Sequence, residues 1–481
     1  MKALWNKYKG LSIELRASMV YTICTLLQNG VAFFTIPFFA RMMSEAEMGY
    51  YTTYNSAENI LMIFLTLNLA YGSFNTAMTK FEDKRDQYTA SVDMICITLS
   101  TVFLMVYLVF KNFFNNLFRL PTELMLLMIL GIVMKNAMSC WTSRQRYDYR
   151  YKSVVFVSLL ITFIVPAVAF FTIKATSDGL KGIAYVKTVN IIEIAVGAVI
   201  LIYCFAKGRT FFNMTYWKYA LTFNIPLIPY YLSQSIFNVS DRLMIDHFTG
   251  KADAAVYGTV YTLGMILTII LNALNNAYIP WLYRKIKSEE RRDNRRIAMY
   301  IAILMAVLLL GVVTLAPELV FIIGGKKYLR GIGVLPPVAI SLLLLFYSQM
   351  FINVEFYFEE KKRLVYGTAV AAVVNLILNF FAIPRFGFIS AAYTTLASYM
   401  IFAGMNYISY KKTMKDRNIP DDLYNMKVMM IILGVFTALV FAIMPLYNFY
   451  LVRYIIILVL GIAILIKRNM IIGFIKSFRN S

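Results

Sequence analysis

Residues 41–54 read RMMSEAEMGYYTTY, and residues 249–261 read TGKADAAVYGTVY. Each stretch joins two long apolar runs. Tyr50, Thr52 and Tyr54 of the first fall on Tyr257, Thr259 and Tyr261 of the second, so the chain writes one polar-aromatic linker twice. A linker repeated between apolar runs points to duplicated membrane-spanning units.

The composition agrees. Of 481 residues, 60% are hydrophobic and 15% charged, against about 25% charged in an ordinary soluble domain. Too few charges are present to cover a water-facing surface, so lipid is the expected environment. The formal net charge of +22 does not indicate nucleic acid, because the basic residues sit in short clusters between apolar runs and form no single patch.

A membrane helix needs about 20 mostly apolar residues. Fourteen such runs can be placed, near 17–40, 50–78, 89–111, 121–140, 153–173, 182–206, 219–247, 254–282, 297–323, 332–356, 364–384, 387–409, 427–446 and 449–467. With the N-terminus set on the cytoplasmic side, the inner segments hold 33 of the 47 Lys and Arg and the outer links 11. That asymmetry is what the positive-inside rule asks of a correct helix count. The expected architecture is therefore all-α and polytopic, with fourteen transmembrane helices and both termini cytoplasmic. Six helices separate the two linkers, so both lie on the outer side, as in parallel repeats. The expected division is an N-terminal lobe over 1–210, a C-terminal lobe over 211–415 and two added helices over 416–481.

Polar residues within the spans fall at helical spacing. Helix 1 carries Gln28 and Asn29. Helix 2 carries Asn55, Glu58 and Asn59, followed by Asn68 and Asn75. Helix 7 carries Ser233, Gln234, Asn238, Asp241 and Arg242. Helix 8 carries Asn272, Asn275 and Asn276, and helix 11 Asn375 and Asn379. Offsets of three and four place such residues on one face. The stripes line a hydrated cleft on one reading; on the other they are hydrogen bonds that hold the bundle together.

Charges within a span cost at least roughly 2.5 kcal/mol each on insertion scales. Lys135, Lys187, Glu193, Asp241 and Arg242 all bear that cost. Lys135, Lys187 and Arg242 suit a cavity that attracts a phosphate or pyrophosphate; the alternative is pairing, with Glu193 or Asp241 neutralising a neighbouring cation. Pro37 in helix 1 and Pro226 and Pro229 in helix 7 suit bends in the first helix of each lobe. The candidate cargo-binding set is Lys135, Lys187, Arg242, Asn29, Gln234, Asn238, Asn272 and Asn276. Glu58, Glu193 and Asp241 are the candidates for coupling to a proton or sodium gradient, with Asp93 a further buried acid. Cys24, Cys96, Cys140 and Cys204 lie in apolar runs at no metal-like spacing and are expected to pack as small apolar residues. With one histidine, no histidine-based metal site can form, and neither metal nor cofactor is expected.

The stretch from Ala40 to Phe81 resembles the start of the polysaccharide or oligosaccharide-lipid flippases of the multidrug/oligosaccharidyl-lipid/polysaccharide transporter superfamily. Their Leu/Met-Ser-x-x-Glu-x-Gly-x-Tyr linker stands here at Met43 to Tyr51. Their Gly-x-x-x-Ala element stands at Gly72 to Ala77, one residue longer. In the second half Pro226-Leu227-Ile228-Pro229 and Ser240 to Ile245 are similar to the family's Pro-Leu-x-Pro and Ser-Asp-Arg-x-x-Ile. Ala254-Ala255-Val256-Tyr257 departs from Gly-x-x-Tyr, and AYIPWLYRK at 277–285 resembles the end of helix 8. The resemblance implies a non-enzymatic carrier in the bacterial cytoplasmic membrane. It implies movement of a polyprenyl-pyrophosphate-linked oligosaccharide to the outer leaflet by alternating access, for capsule, exopolysaccharide or O-antigen-type assembly. Other polysaccharide-assembly membrane proteins are the partners it leaves open; nucleic acid is not one. The competing readings are a cation-coupled drug exporter of the same superfamily and a membrane glycosyltransferase or polymerase. Asp421-Asp422 is the acidic doublet that would tempt the last of these.

Overall fold

A computed structural model describes residues 13–70, 72–288, 291–358, 361–420 and 423–466. Every regular element among them is helical. The expected cytoplasmic placement of the termini concerns residues 1–12 and 467–481, and Asp421-Asp422 likewise lies outside the described residues. The chain gathers into two compact units, Met1–Ala255 and Val256–Ser481.

The first unit contains α1 (Ile13–Met42), α2 (Glu45–Thr66), α3 (Phe74–Lys80), α4 (Arg85–Val109), α5 (Lys111–Phe118), α6 (Thr122–Tyr147), α7 (Tyr151–Ala175), α8 (Lys181–Gly208), α9 (Met214–Asn224) and α10 (Ile228–Phe248). Helix α11 (Lys251–Lys287) begins there and crosses the boundary in sequence. The linker motif explains where α2 starts. Ser44 stands in extended backbone and accepts from the Glu47 N–H, while the Glu47 carboxylate accepts from the Ser44 N–H at 2.8 Å. This capping box satisfies donors that the first helical turn leaves open. Helices α2, α4, α6 and α8 pack around Tyr54, Leu61, Tyr107, Met125, Met128, Ile132 and Val186.

Two expected continuous helices of the first unit are broken, and in the second the run 297–323 passes from one helix to the next at Leu315. The run 50–78 ends as a helix at Thr66, because Leu67 and Asn68 both adopt left-handed backbone, with φ of 49° and 52°. Such backbone is costly for residues other than glycine and is over-determined here. The Thr66 hydroxyl accepts from the Asn68 N–H at 3.1 Å. On the far side of the break, the Asn224 amide donates to the Ser73 hydroxyl at 2.7 Å and accepts from the Ser73 N–H. Asn68 and Asn75 therefore do not extend the stripe of Asn55, Glu58 and Asn59. The run 219–247 is likewise divided into α9 and α10 by a 3-10 turn, Ile225–Leu227, with Pro226 and Pro229 near the starts of the turn and of α10. Proline removes the N–H that a continuous ladder needs. Pro37 stays inside α1.

The second unit contains α12 (Arg291–Thr314), α13 (Ala316–Gly324), α14 (Leu335–Tyr357), α15 (Lys361–Phe386), α16 (Ser390–Asp416), α17 (Met426–Ile443) and α18 (Tyr450–Ile466). Helix α14 packs on α16 and α16 on α15; α12 meets α17 and α18. The buried Tyr278 hydroxyl donates toward Asn294 at 2.9 Å, and Tyr424 donates to the Met350 carbonyl. The buried Arg453 guanidinium makes a two-pronged pair with Glu318 at 2.5 and 2.7 Å, tying α18 to α13.

Among the described residues nine helical segments are long and apolar enough to cross a membrane. They match the expected spans near 17–40, 89–111, 121–140, 153–173, 182–206, 297–323, 332–356, 364–384 and 427–446. The other five expected spans are helical, but interrupted, shorter or more polar. Two are the broken helices of the first unit, and α18 has 17 residues.

Candidate functional site

Helices α2, α6 and α8 bring three ionisable side chains to one point. The Lys135 ammonium donates to both Glu58 carboxylate oxygens at 2.8 Å and lies 3.0 Å from Glu193 Oε2. The Glu58 side chain is 8% exposed, and Lys135 and Glu193 each 23%. With all three ionised the cluster carries one net negative charge. Beside it the Tyr54 hydroxyl donates to Asn190 Oδ1 at 3.0 Å, and the Asn190 amide donates back to the Val186 carbonyl. Asn190 and Glu193 are three apart on α8 and so share a face.

The other expected cations stand elsewhere. Lys187 lies in the second turn of α8 and pairs at 2.7 Å with Glu123 in the first turn of α6; both side chains are substantially exposed. Glu123 precedes Lys135 by twelve residues, about 18 Å along the helix, so the lysines occupy separate levels of the bundle. The Arg242 guanidinium donates to the Asn238 carbonyl at 2.6 Å. Its backbone N–H donates to the buried Asp241 carboxylate at 2.8 Å.

Among the polar candidates, Asn29, Asn238 and Asn272 are exposed and Gln234 is half-buried; Asn238 bonds back to the Gln234 carbonyl. Asn276 lies in α11 with its side chain outside those described. Asn375 and Asn379 form a buried hydrogen-bonded group with Thr394 and Thr395 of α16, which is the bundle-holding reading of that stripe. Asp93 is buried and accepts from the Asn136 amide at 3.2 Å. The four cysteines are free, buried thiols, and no group of three metal-ligating side chains occurs among the described residues.

A second polar cluster involves residues that no polar stripe or mid-span charge in the sequence marks. Asp246, 1% exposed, accepts at 2.8 Å from the Thr53 hydroxyl and at 2.8 Å from the Lys251 ammonium. Lys251 also donates to the Arg119 carbonyl, while the Arg119 guanidinium donates to the carbonyls of Asp246 and His247. Burial pushes the Lys251 ammonium below its ordinary range, against the pull of Asp246, and the Arg119 charge pushes the same way. These contacts bring the two copies of the repeated linker together. A Cβ on Gly49 would lie 2.3 Å from the Lys251 carbonyl oxygen, and Lys251 sits 4.8 Å from the Tyr50 ring centre. The available signal was positional: Asp246 and Lys251 flank the start of the second copy.

Residues 15–286, more than half of the chain, match the family of polysaccharide biosynthesis proteins. The chain belongs to that family. A curated relative from Haemophilus influenzae strain Rd, "Lsg locus putative protein 1", is 33% identical over 72 residues, which are 15% of this chain and 18% of that protein. The chain thus matches less than a fifth of that relative's length. Among solved structures, "Lipid II flippase MurJ, inward closed conformation" aligns with a TM-score of 0.71 at 14% identity, over 94% of this chain and 100% of its own. A multidrug resistance MATE family transporter of the MOP superfamily aligns in its inward-facing conformation at 0.62, with 11% identity, 83% of this chain and 98% of its own. Its outward-facing conformation aligns at 0.54, with 13% identity, 85% and 98%. This family member therefore shares its fold with these structures and is a multi-pass membrane protein.

Proposed function

We propose that this protein carries a polyprenyl (undecaprenyl)-pyrophosphate-linked oligosaccharide repeat from the cytoplasmic to the outer leaflet of a bacterial cytoplasmic membrane, by alternating access. The observation that carries the reading is the Lys135 ammonium held between Glu58 and Glu193 in a chain of the polysaccharide biosynthesis family. Ionisable groups at membrane depth are expensive, and where they persist they mark a pathway or relay. The lobes at work are 1–210 and 211–415, with 416–481 added to them. A sugar-pyrophosphate head needs a wet path with cationic and amide side chains: Lys135, Lys187, Arg242, Asn29, Gln234, Asn238, Asn272 and Asn276 supply it. No covalent chemistry is asked of them.

Coupling enters through the same cluster. A proton or sodium ion taken up by Glu58 or Glu193 competes with Lys135 for the carboxylate, and the released ammonium turns to the pyrophosphate. Asp241 plays the matching part beside Arg242. The linker contact at Asp246 closes the outer end and opens once per cycle.

The test is a chromosomal Lys135→Ala replacement, with Lys187→Ala and Arg242→Ala beside it. Lys187→Ala and Arg242→Ala should insert at normal level, and Lys135→Ala at a lower one because its two carboxylate partners are left facing each other; compared at equal amounts of inserted protein, each should make little surface polysaccharide and accumulate the lipid-linked oligosaccharide on the inner leaflet, read by lipid mass spectrometry. Normal polysaccharide in all three sinks the proposal; unaltered polysaccharide with raised drug susceptibility would favour an exporter.

A further inference from the structure

Within the first unit, α3 and α9 enclose a cleft of about 580 Å³ lined by Lys80, Phe81, Met214, Lys218, Tyr219 and Phe223. Its walls are fixed. The Tyr219 hydroxyl donates to Thr76 Oγ1 at 3.0 Å, joining α9 to α3. Arg85 donates to the Met78 carbonyl at 2.8 Å and stacks its guanidinium 4.4 Å from the Tyr147 ring centre, pinning the end of α3. Trp217 donates to the Ser91 carbonyl at 3.1 Å and holds α9 against α4.

The Lys80 ammonium lies 4.4 Å from the Tyr219 ring centre and 5.7 Å from that of Phe81. Among the described residues neither Lys80 nor Lys218 has a carboxylate partner, and the nearby Glu82 is taken by Arg85 at 3.0 Å. The cleft thus offers two positive charges without a carboxylate partner, one of them, Lys80, over aromatic rings. Apolar side chains of its lining are bare: Met214 is 69% exposed, and Phe223 is exposed with it. Large apolar side chains bared beside lysines are the signature of a segment seated at the lipid–water boundary.

We propose that this cleft binds the headgroup of an anionic phospholipid from the leaflet it faces. The phosphodiester sits between the Lys80 and Lys218 ammonium groups, and the acyl chains pass over Met214 and Phe223. The apolar rim means that the occupant arrives sideways from the bilayer. The two positive charges favour a head with net negative charge over one that brings its own cation.

Native mass spectrometry of the full chain, titrated with phosphatidylglycerol or phosphatidylcholine, tests this. The wild type should retain one phosphatidylglycerol in preference to phosphatidylcholine. A lysine near an anionic surface contributes about 1 kcal/mol, or about fivefold in affinity, so Lys80→Gln/Lys218→Gln should weaken phosphatidylglycerol retention about thirtyfold and leave phosphatidylcholine unchanged. Lys80→Arg/Lys218→Arg should keep it, which separates charge from folding. Equal retention of the two lipids, or undiminished phosphatidylglycerol in the glutamine variant, overturns the site. Displacement of phosphatidylglycerol by a lower concentration of polyprenyl pyrophosphate overturns the phospholipid as its occupant.

Discussion

Replacing Lys135 by Met strips the cation from between Glu58 and Glu193. Both carboxylates reach its Nζ, at 2.8 and 3.0 Å, so their nearest oxygens are at most about 6 Å apart. At an effective dielectric of 20, two like charges at that distance repel by about 3 kcal/mol. Removing one partner of a buried pair costs about as much again, because the remaining charge stays dry. Lys135→Met should therefore lower the stability of the purified protein by at least about 3 kcal/mol near neutral pH, read in a detergent-unfolding titration. Lys135→Met/Glu193→Gln removes the repulsion along with the cation and should recover much of that loss. The cycle of single and double variants isolates the coupling. If Lys135→Met is as stable as wild type, or the double variant is no better than the single, the three groups do not act as one electrostatic unit.

Two further outcomes test the linker. Gly49→Val places a Cβ 2.3 Å from the Lys251 carbonyl oxygen and 2.6 Å from its Cβ, so the two copies must part by about 1 Å to reach ordinary contact. In a cysteine-free background, Ser56→Cys on the buried face of α2 should then react faster with a membrane-impermeant maleimide; an unchanged rate would show that the contact does not control access. Glu47 titrates in the opposite sense to a simple buried acid. Burial raises its pKa, but the N–H groups of Ser44, Gly179 and Lys181 and the Ser44 hydroxyl outweigh that and hold it below the usual carboxylate range. The unfolded chain therefore binds the proton first. The stability Glu47 contributes is complete above its ordinary value and is lost as pH falls through the folded one. Glu47→Gln should flatten the acid side of a stability–pH profile, and an unaltered acid limb would contradict this.

The helical class and most of the span positions were legible in the sequence because hydropathy and the alternation of Lys and Arg act over whole segments. The breaks at Leu67-Asn68 and at Ile225–Leu227 were not equally visible. Pro226 and Pro229 signalled the second, but the first rests on Asn224 clasping Ser73 across 151 positions, a contact without local signature. The same limit governed the site. Lys135 and Glu193 read as costly charges mid-span and Glu58 as a member of the helix 2 polar stripe, yet only the packing of α2, α6 and α8 shows that the three share one point. Lys187 looked equally buried from its apolar surroundings, but in the second turn of α8 it reaches Glu123 in the exposed region. Asp246 was overlooked because it falls at the end of an apolar run, where an acidic residue looks like ordinary boundary chemistry.

Glu47 has a consequence for which neighbours can drift. Its carboxylate reaches the main-chain N–H groups of Gly179 and Lys181, at 2.7 and 3.2 Å, and every residue except proline carries that N–H. Position 181 can therefore change its identity while the tie survives. Position 179, with φ of 88°, and position 182, where a Cβ would strike the Glu47 carbonyl oxygen at 2.1 Å, have far less latitude. Saturation mutagenesis across 177–183 should show a tolerant residue enclosed by two intransigent glycines, all three answering to an acid more than 130 positions upstream.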